Sequence, residues 1–82
     1  MALAKNDAFE AIRLVIPKGR EFARHQVKGR MTFVCLEGRI AFTACGTTQE
    51  LLAGHWLFLE GDEPHSLVGL EDSLALLTIM FR

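Results

Sequence analysis

The fold is decided by residues 31–44, which read MTFVCLEGRIAFTA. Two runs of strand length flank Glu37-Gly38, where a glycine can adopt the positive φ of a tight turn. Alternate residues of a strand fall on opposite faces, so Met31, Phe33 and Cys35 share one face. Both faces are largely apolar, which suits a barrel interior on one side and a second sheet or subunit on the other. The segment therefore predicts a β-hairpin within a closed β structure.

Turn residues recur along the rest of the chain at short intervals. They are Pro17–Arg20, Lys28-Gly29, Cys45–Thr48, Ala53-Gly54, Gly61–Pro64 and Gly69–Asp72. The runs between them have strand length, are too short for most helices, and several are rich in β-branched and aromatic residues. This spacing is typical of an all-β sandwich or barrel.

The first ten residues are expected to form an irregular segment. Asn6 or Asp7 could cap a helical turn there, since Glu10 follows Asp7 at the spacing of a capping box. No linker or internal repeat divides the sequence. The prediction is a single all-β domain over residues 1–82, in which residues 1–10 are irregular.

The size and composition of the chain predict self-association. A domain of 82 residues buries only about 60–65% of its extended surface on folding, and half of these residues are apolar. We therefore expect a homodimer in which Ala11–Ile16 or Leu74–Phe81 completes a sheet across two subunits, since pairing also protects an exposed strand edge.

Several classes of protein are disfavoured. The longest mostly apolar run, Leu74–Phe81, has eight residues, whereas a membrane-spanning helix needs about twenty. Met1–Glu10 is too charged for a secretory signal. The predicted hairpin keeps Cys35 and Cys45 apart, which favours free thiols and a cytoplasmic location.

The charges are unevenly distributed, although the formal net charge is only −1. Five basic residues fall within thirteen positions: Lys18, Arg20, Arg24, Lys28 and Arg30. These side chains are expected to cover solvated strand faces, with attraction of a small anion as the alternative. Nucleic acid is disfavoured because interleaved exposed aromatic residues are missing.

Two segments share a regular spacing of glycine and histidine. The first contains Gly19, His25, Val27, Met31 and Gly38, and the second contains Gly54, Glu60, Asp62, His65 and Gly69. These intervals resemble the paired motifs of the cupins, which are small jelly-roll barrels, also called double-stranded β-helices. The resemblance covers residues 12–79 and implies that fold.

The resemblance also implies a metal site that this chain has partly lost. In cupins, the first motif supplies two histidines and a glutamate, and the second supplies one histidine. Here Val27 and Met31 stand at two of those four positions, leaving His25 and His65 as an incomplete ligand set for a metal. The implied pocket lining is His25, Val27, Met31, Phe33, Cys35 and His65.

Three functions follow from this comparison, and no residue is assigned a catalytic role. We expect a non-catalytic cupin that binds a small organic or anionic molecule or serves as a scaffold, with no resident cofactor. The alternative is a metal-dependent enzyme that uses His25 and His65 to bind Zn, Ni, Fe, Mn or Cu weakly. A second alternative is a sensory module in transcriptional control. No amphipathic pattern of a DNA-reading helix follows the barrel, so this role would need a partner protein if the native chain is no longer than Arg82. Whether the chain is an enzyme stays open.

Overall fold

The molecule is built from antiparallel strands. A computed structural model describes residues 2–25, 29–60 and 63–81, and the side chains of these residues except 23–25. The strands are β1 (Ala2–Lys5), β2 (Phe9–Ile16), β3 (Glu21–His25), β4 (Arg30–Glu37), β5 (Arg39–Ala44), β6 (Thr47–Leu52), β7 (Trp56–Leu59), β8 (His65–Gly69) and β9 (Ser73–Met80). No helix in these ranges is long and apolar enough to cross a membrane.

The strands form two sheets that face each other. One has five strands in the order β1-β2-β9-β4-β7, and the other has four in the order β3-β8-β5-β6. Phe33 on β4 and Phe42 on β5 meet between the sheets with ring centroids 4.9 Å apart. The predicted all-β jelly-roll architecture is confirmed.

The inner faces of both sheets supply the core. Along β4, Met31, Phe33 and Cys35 are buried while Leu36 is exposed, which confirms the predicted alternation. The buried apolar cluster consists of Ile16, Met31, Phe33, Cys35, Ile40, Phe42, Leu51, Leu59, Leu67, Ala75, Leu77 and Ile79. Alternate residues of strands from both sheets enter it, as expected for a two-layer β fold.

The predicted hairpin over residues 31–44 is wrong. β4 pairs with β7 and β9, whereas β5 pairs with β6 and β8, so the chain passes from one sheet to the other at Gly38. Gly38 has φ of 86° and lies so close to Asp72 and Ser73 that a Cβ would collide with them. The Ser73 hydroxyl bonds to the backbone of Arg39, accepting from its N–H at 3.1 Å and lying 2.9 Å from its carbonyl oxygen. These contacts fix a corner between sheets instead of a turn within one.

The N-terminal segment is also more ordered than predicted. β1 occupies Ala2–Lys5 and pairs with β2. In place of a helical turn, the Asn6 side chain accepts hydrogen bonds from the backbone N–H groups of Ala8 and Phe9, at 2.7 and 2.9 Å. Asparagine stabilises such a turn by bonding to the backbone two and three residues ahead, and it leads directly into the next strand.

The strands that were expected to pair across subunits are already paired inside the molecule. β2 lies between β1 and β9, and β9 lies between β2 and β4. β9 is paired along both of its edges, whereas β1 pairs only with residues 10–12 of β2, which leaves residues 13–16 paired with β9 alone. Leu74–Phe81 therefore has no free edge with which to complete a sheet across subunits, and completion by Ala11–Ile16 stays a prediction.

Both cysteines are free, as predicted. Cys35 is buried, and Cys45 is exposed at the hairpin between β5 and β6. Cys45 and Gly46 both have positive φ, 54° and 73°, as the two-residue turn of a tight β-hairpin requires. The two thiols are far apart because Cys35 lies beside Gly38, before β5 begins, whereas Cys45 follows the other end of β5.

Candidate functional site

His65 lies at the start of β8, with its side chain buried between the sheets. It is 3% exposed, and its ring stacks on Phe42 with centroids 5.6 Å apart and planes 10° from parallel. Nδ1 lies 3.2 Å from the carbonyl oxygen of Glu63. These contacts hold the imidazole in one orientation on the inner face of the four-stranded sheet.

His25 is the register partner of His65. The Cα atoms of the two residues are opposite one another in the β3–β8 ladder. Residues directly opposite in an antiparallel ladder share one face of the sheet, with Cβ atoms about 4.5–5.5 Å apart. The backbone thus brings the two histidine positions together. The His25 side chain and the whole of Val27 lie outside the described residues.

Met31, Phe33 and Cys35 are packed core residues, with exposures of 2%, 1% and 0%. Met31 lies at the end of β4 farther from the Gly38 corner, whereas Cys35 lies beside that corner. The Cys35 thiol is 3.4 Å from the carbonyl oxygen of Glu37, to which it donates. Burial raises the pKa of this thiol, and the bond to Glu37 opposes that effect in part. Cys35 is therefore held as a neutral hydrophobe.

One cleft lies at the rim beside His65. Its volume is about 270 Å³, and it is lined by Thr43, Ala44, Cys45, Gly46, Glu63, Pro64, His65 and Ser66. Glu63 closes one side by accepting a hydrogen bond from the backbone N–H of Cys45 at 3.1 Å. A hydrogen bond to Glu63, with smaller effects of desolvation and of the Glu63 charge, raises the pKa of the Cys45 thiol. The thiol at this rim is consequently a poor nucleophile.

The second cleft opens between the edge strands β6 and β7. Its volume is about 250 Å³, and it is lined by Phe42, Ala44, Cys45, Thr47, Gln49, Leu57, Phe58 and Leu59. Thr47 and Gln49 pair with Ala44 and Phe42, whose side chains face the core. The cleft therefore combines apolar walls with one hydroxyl and one amide, and it meets the first cleft at Ala44 and Cys45.

Among the predicted pocket residues whose side chains the structure describes, sequence reasoning placed one that lines these clefts, His65. It missed Thr47 and Gln49 because β6 reads as an exposed polar strand and carries no apolar alternation over those positions. The signal that was available is register: both residues are an even number of positions before Leu51, which is buried. Residues at even spacing share a face of a strand.

The described side chains do not form a complete metal centre. No group of three His, Cys, Asp or Glu residues that could hold a metal ion occurs within 2–22, 29–60 and 63–81. Met31, at the carboxylate position of the cupin motif, lies between Leu59 and Ile79 in the sheet register. Such surroundings favour a thioether packed as a hydrophobe. The incomplete ligand set at His25 and His65 stays a prediction.

Comparison with solved structures places the fold among known proteins. A cupin superfamily protein from Desulfitobacterium hafniense superposes with a TM-score of 0.94 at 18% identity, over 100% of this chain and 75% of that one. KdgF from a Halomonas species gives 0.90 at 20% identity, over 100% and 76%. A glycine-to-alanine mutant of salicylate 1,2-dioxygenase from Pseudoaminobacter salicylatoxidans gives 0.85 at 20% identity, over 90% of this chain and 21% of that one. No protein-family model and no curated protein matches the sequence.

These likenesses define the class of protein. The chain has the cupin fold, a jelly roll of two antiparallel sheets around one core. At these identities the likeness describes the fold alone. Function has to be argued from the residues that line the clefts.

Proposed function

We propose that this chain is a non-catalytic cupin-fold protein that binds a small, mostly apolar organic molecule between its two sheets. The observation that carries the proposal is the cleft between β6 and β7. Its walls are Phe42, Leu57 and Leu59, and its polar groups are Thr47 and Gln49. Ligand sites in proteins usually combine mainly apolar walls with a few polar groups that fix orientation.

The volume of the cleft sets the size of the molecule. A closed apolar cavity of about 150 Å³ accommodates benzene. The cleft here, at about 250 Å³, suits a single ring with one or two polar substituents. We expect a ring held by only two polar groups to bind with a Kd of about 1 mM, which corresponds to a binding free energy of about −4 kcal/mol.

We infer that the clefts catalyse no reaction from two groups that line them, the Cys45 thiol and the His65 imidazole. The environment of Cys45 raises its pKa, and a nucleophilic cysteine needs a lowered one. His65 is held against Glu63 and Phe42. These contacts stabilise the rim. The Glu63 carboxylate beside Cys45 raises the pKa of the thiol and so opposes its activation as a nucleophile.

In the first test the protein is titrated with phenol or benzyl alcohol, and binding is followed by two-dimensional NMR. We expect saturable shifts of the amide signals of Thr47 and Gln49. The Ala44→Leu variant should abolish them, because the larger side chain fills the space shared by the two clefts. The matched control is Ala41→Leu on the other face of the same strand, which should bind as the native chain does. Shifts that stay linear to tens of millimolar in the native chain would refute the proposal.

Metal analysis separates this proposal from the metal-dependent alternative, which is favoured by the pairing of positions 25 and 65 across β3 and β8. Protein purified without chelator should contain far less than one equivalent of transition metal. A stoichiometric metal that is lost in His65→Ala, with the fold intact by circular dichroism, would replace the present proposal by the alternative.

A further inference from the structure

The two clefts form one continuous site around the end of the hairpin between β5 and β6. We call the cleft between β6 and β7 the inner cleft, and the cleft beside His65 the rim cleft. Ala44, at the end of β5, and Cys45, in the turn, line both of them. The Ala44 side chain is a single methyl group, so a molecule in the inner cleft reaches the rim cleft by extending past it.

The two parts of the site differ in charge. The inner cleft is lined by uncharged residues, which are Phe42, Ala44, Cys45, Thr47, Gln49, Leu57, Phe58 and Leu59. The rim cleft contains the carboxylate of Glu63 and the hydroxyl groups of Thr43 and Ser66, which are register partners on β5 and β8. No lysine or arginine lines either cleft within the part of the chain that the structure describes. The site is therefore apolar at one end and negatively charged at the other.

Glu63 is placed to bind a cationic group. Its Oε1 atom accepts a hydrogen bond from the backbone N–H of Cys45 at 3.1 Å, which holds the half-buried carboxylate against the turn. The ion pairs among the described residues use Glu50, Glu60 and Glu71, and none of them includes Glu63. A carboxylate has about four sites that accept hydrogen bonds, so Glu63 retains sites for the N–H groups of a ligand.

We propose that the ligand of this site is a small molecule in which a short chain joins an aromatic ring to a protonated amine, with the ring in the inner cleft and the ammonium group beside Glu63. This inference rests on the proposed function and adds the charge of the ligand to it. An ammonium group donates three hydrogen bonds and accepts none, and the rim cleft offers it the oxygen atoms of Glu63, Thr43 and Ser66. An aromatic acid of the same shape would bring its carboxylate to Glu63, and the site excludes it by repulsion.

Three probes of similar shape test the charge of the ligand: 2-phenylethylamine, 2-phenylethanol and phenylacetate. Each is titrated at pH 8, above the ordinary pKa of histidine, and binding is followed by the amide NMR signals of Gln49 and Ser66. The Kd of the amine should be about fivefold lower than that of the alcohol, as expected for an ion pair that water partly screens. Phenylacetate should give no saturable shift. In about 0.5 M NaCl the Kd values of the amine and the alcohol should converge, because salt screens the charge of Glu63.

Glu63→Gln removes the charge and keeps a side-chain oxygen that accepts the Cys45 N–H. This variant should raise the Kd of the amine about fivefold and change that of the alcohol by less than about twofold. The matched control is Glu50→Gln, which removes a carboxylate from β6 next to Gln49. Glu50 lies on the other face of that strand and pairs with Arg39 at 3.6 Å, so its loss should leave the preference for the amine unchanged. Far-UV circular dichroism verifies that both variants are folded.

The ratio of the two Kd values separates this inference from the proposed function. Equal Kd values for the amine and the alcohol in the native chain, a preference that persists in Glu63→Gln, or a preference lost equally in Glu50→Gln would each overturn it. Saturable binding of 2-phenylethanol would still support the proposed function in each of these cases. If none of the three probes gives saturable shifts, the proposed function fails, and this inference fails with it.

Discussion

Cys45 is an exposed thiol with the carboxylate of Glu63 beside it. The hydrogen bond to Glu63 and its negative charge raise the pKa of the thiol, so less thiolate is present at any pH below that pKa. Glu63→Gln removes the charge and should bring the pKa of Cys45 down towards its ordinary value. Alkylation by iodoacetamide at pH 8 should then be severalfold faster, because the thiolate is the reacting species.

Mass spectrometry of the alkylated peptide measures this rate, and Cys35 serves as a slow internal reference because it is buried. The control variant is Glu60→Gln, which removes an exposed carboxylate that pairs with Arg30 and not with Cys45. A rate for Glu63→Gln no faster than that of Glu60→Gln would show that Glu63 does not govern this thiol.

For single residues, the sequence predicts on which face of a strand some site residues lie, but not which cleft they line. Alternation along the chain assigns Met31 and Phe33 to an inner face, and burial agrees. The cleft residues Thr47 and Gln49 escape such reasoning because their inward placement depends on pairing with β5. Pairing between strands is a non-local property that hydrophobic pattern alone leaves undetermined.

At the scale of the elements, the corner at Gly38 determines which sheet each strand joins. Gly38→Ala should destabilise the fold by more than about 2 kcal/mol, since it combines a positive φ with a collision against the backbone of Asp72 and Ser73. Gly54→Ala is the matched control: its φ is also positive, 90°, but nothing lies within 4 Å of the new Cβ. Its cost should be about 1 kcal/mol. Urea unfolding followed by circular dichroism measures both, and equal costs would show that the corner contacts contribute nothing.

The same corner shows why the strands were predictable and their partners were not. A glycine between two apolar runs indicates a reversal or a sharp bend, and a positive φ serves a hairpin or a corner between sheets equally well. What decides between them is Ser73, 34 residues from Arg39 along the chain, whose hydroxyl bonds to the Arg39 backbone. No local pattern reports a contact at that separation, so the prediction of a hairpin was wrong although the alternation on both strands was correct.

For the whole molecule, the homodimer predicted from the size and composition of the chain would couple assembly to thermal stability. The two chains of a dimer would unfold together. Each tenfold rise in concentration therefore stabilises the dimer by about 1.4 kcal/mol, which is about 0.7 kcal/mol per chain. For a domain of this size, that corresponds to a rise in Tm of about 3–5 °C. Scanning calorimetry of the native chain at 10 and 100 µM should show this rise. Leu52→Asp, which changes an exposed residue of β6 in the four-stranded sheet, should retain it.

Leu36 has the same exposure as Leu52, 42%, but lies on the five-stranded sheet, which also exposes Trp56 and Phe58. If this sheet supplies the dimer contact, Leu36→Asp should unfold at a lower Tm that depends less on concentration, because a dissociated chain gains nothing from mass action. This comparison separates two reasons for keeping an apolar sheet face on so small a protein. If the face serves assembly, stability and concentration are linked through Leu36 and not through Leu52. If the native Tm does not change with concentration while the chain sediments as a dimer, the free energy of association is too small to stabilise the fold. The two sheets of each chain then hold the core together without the partner.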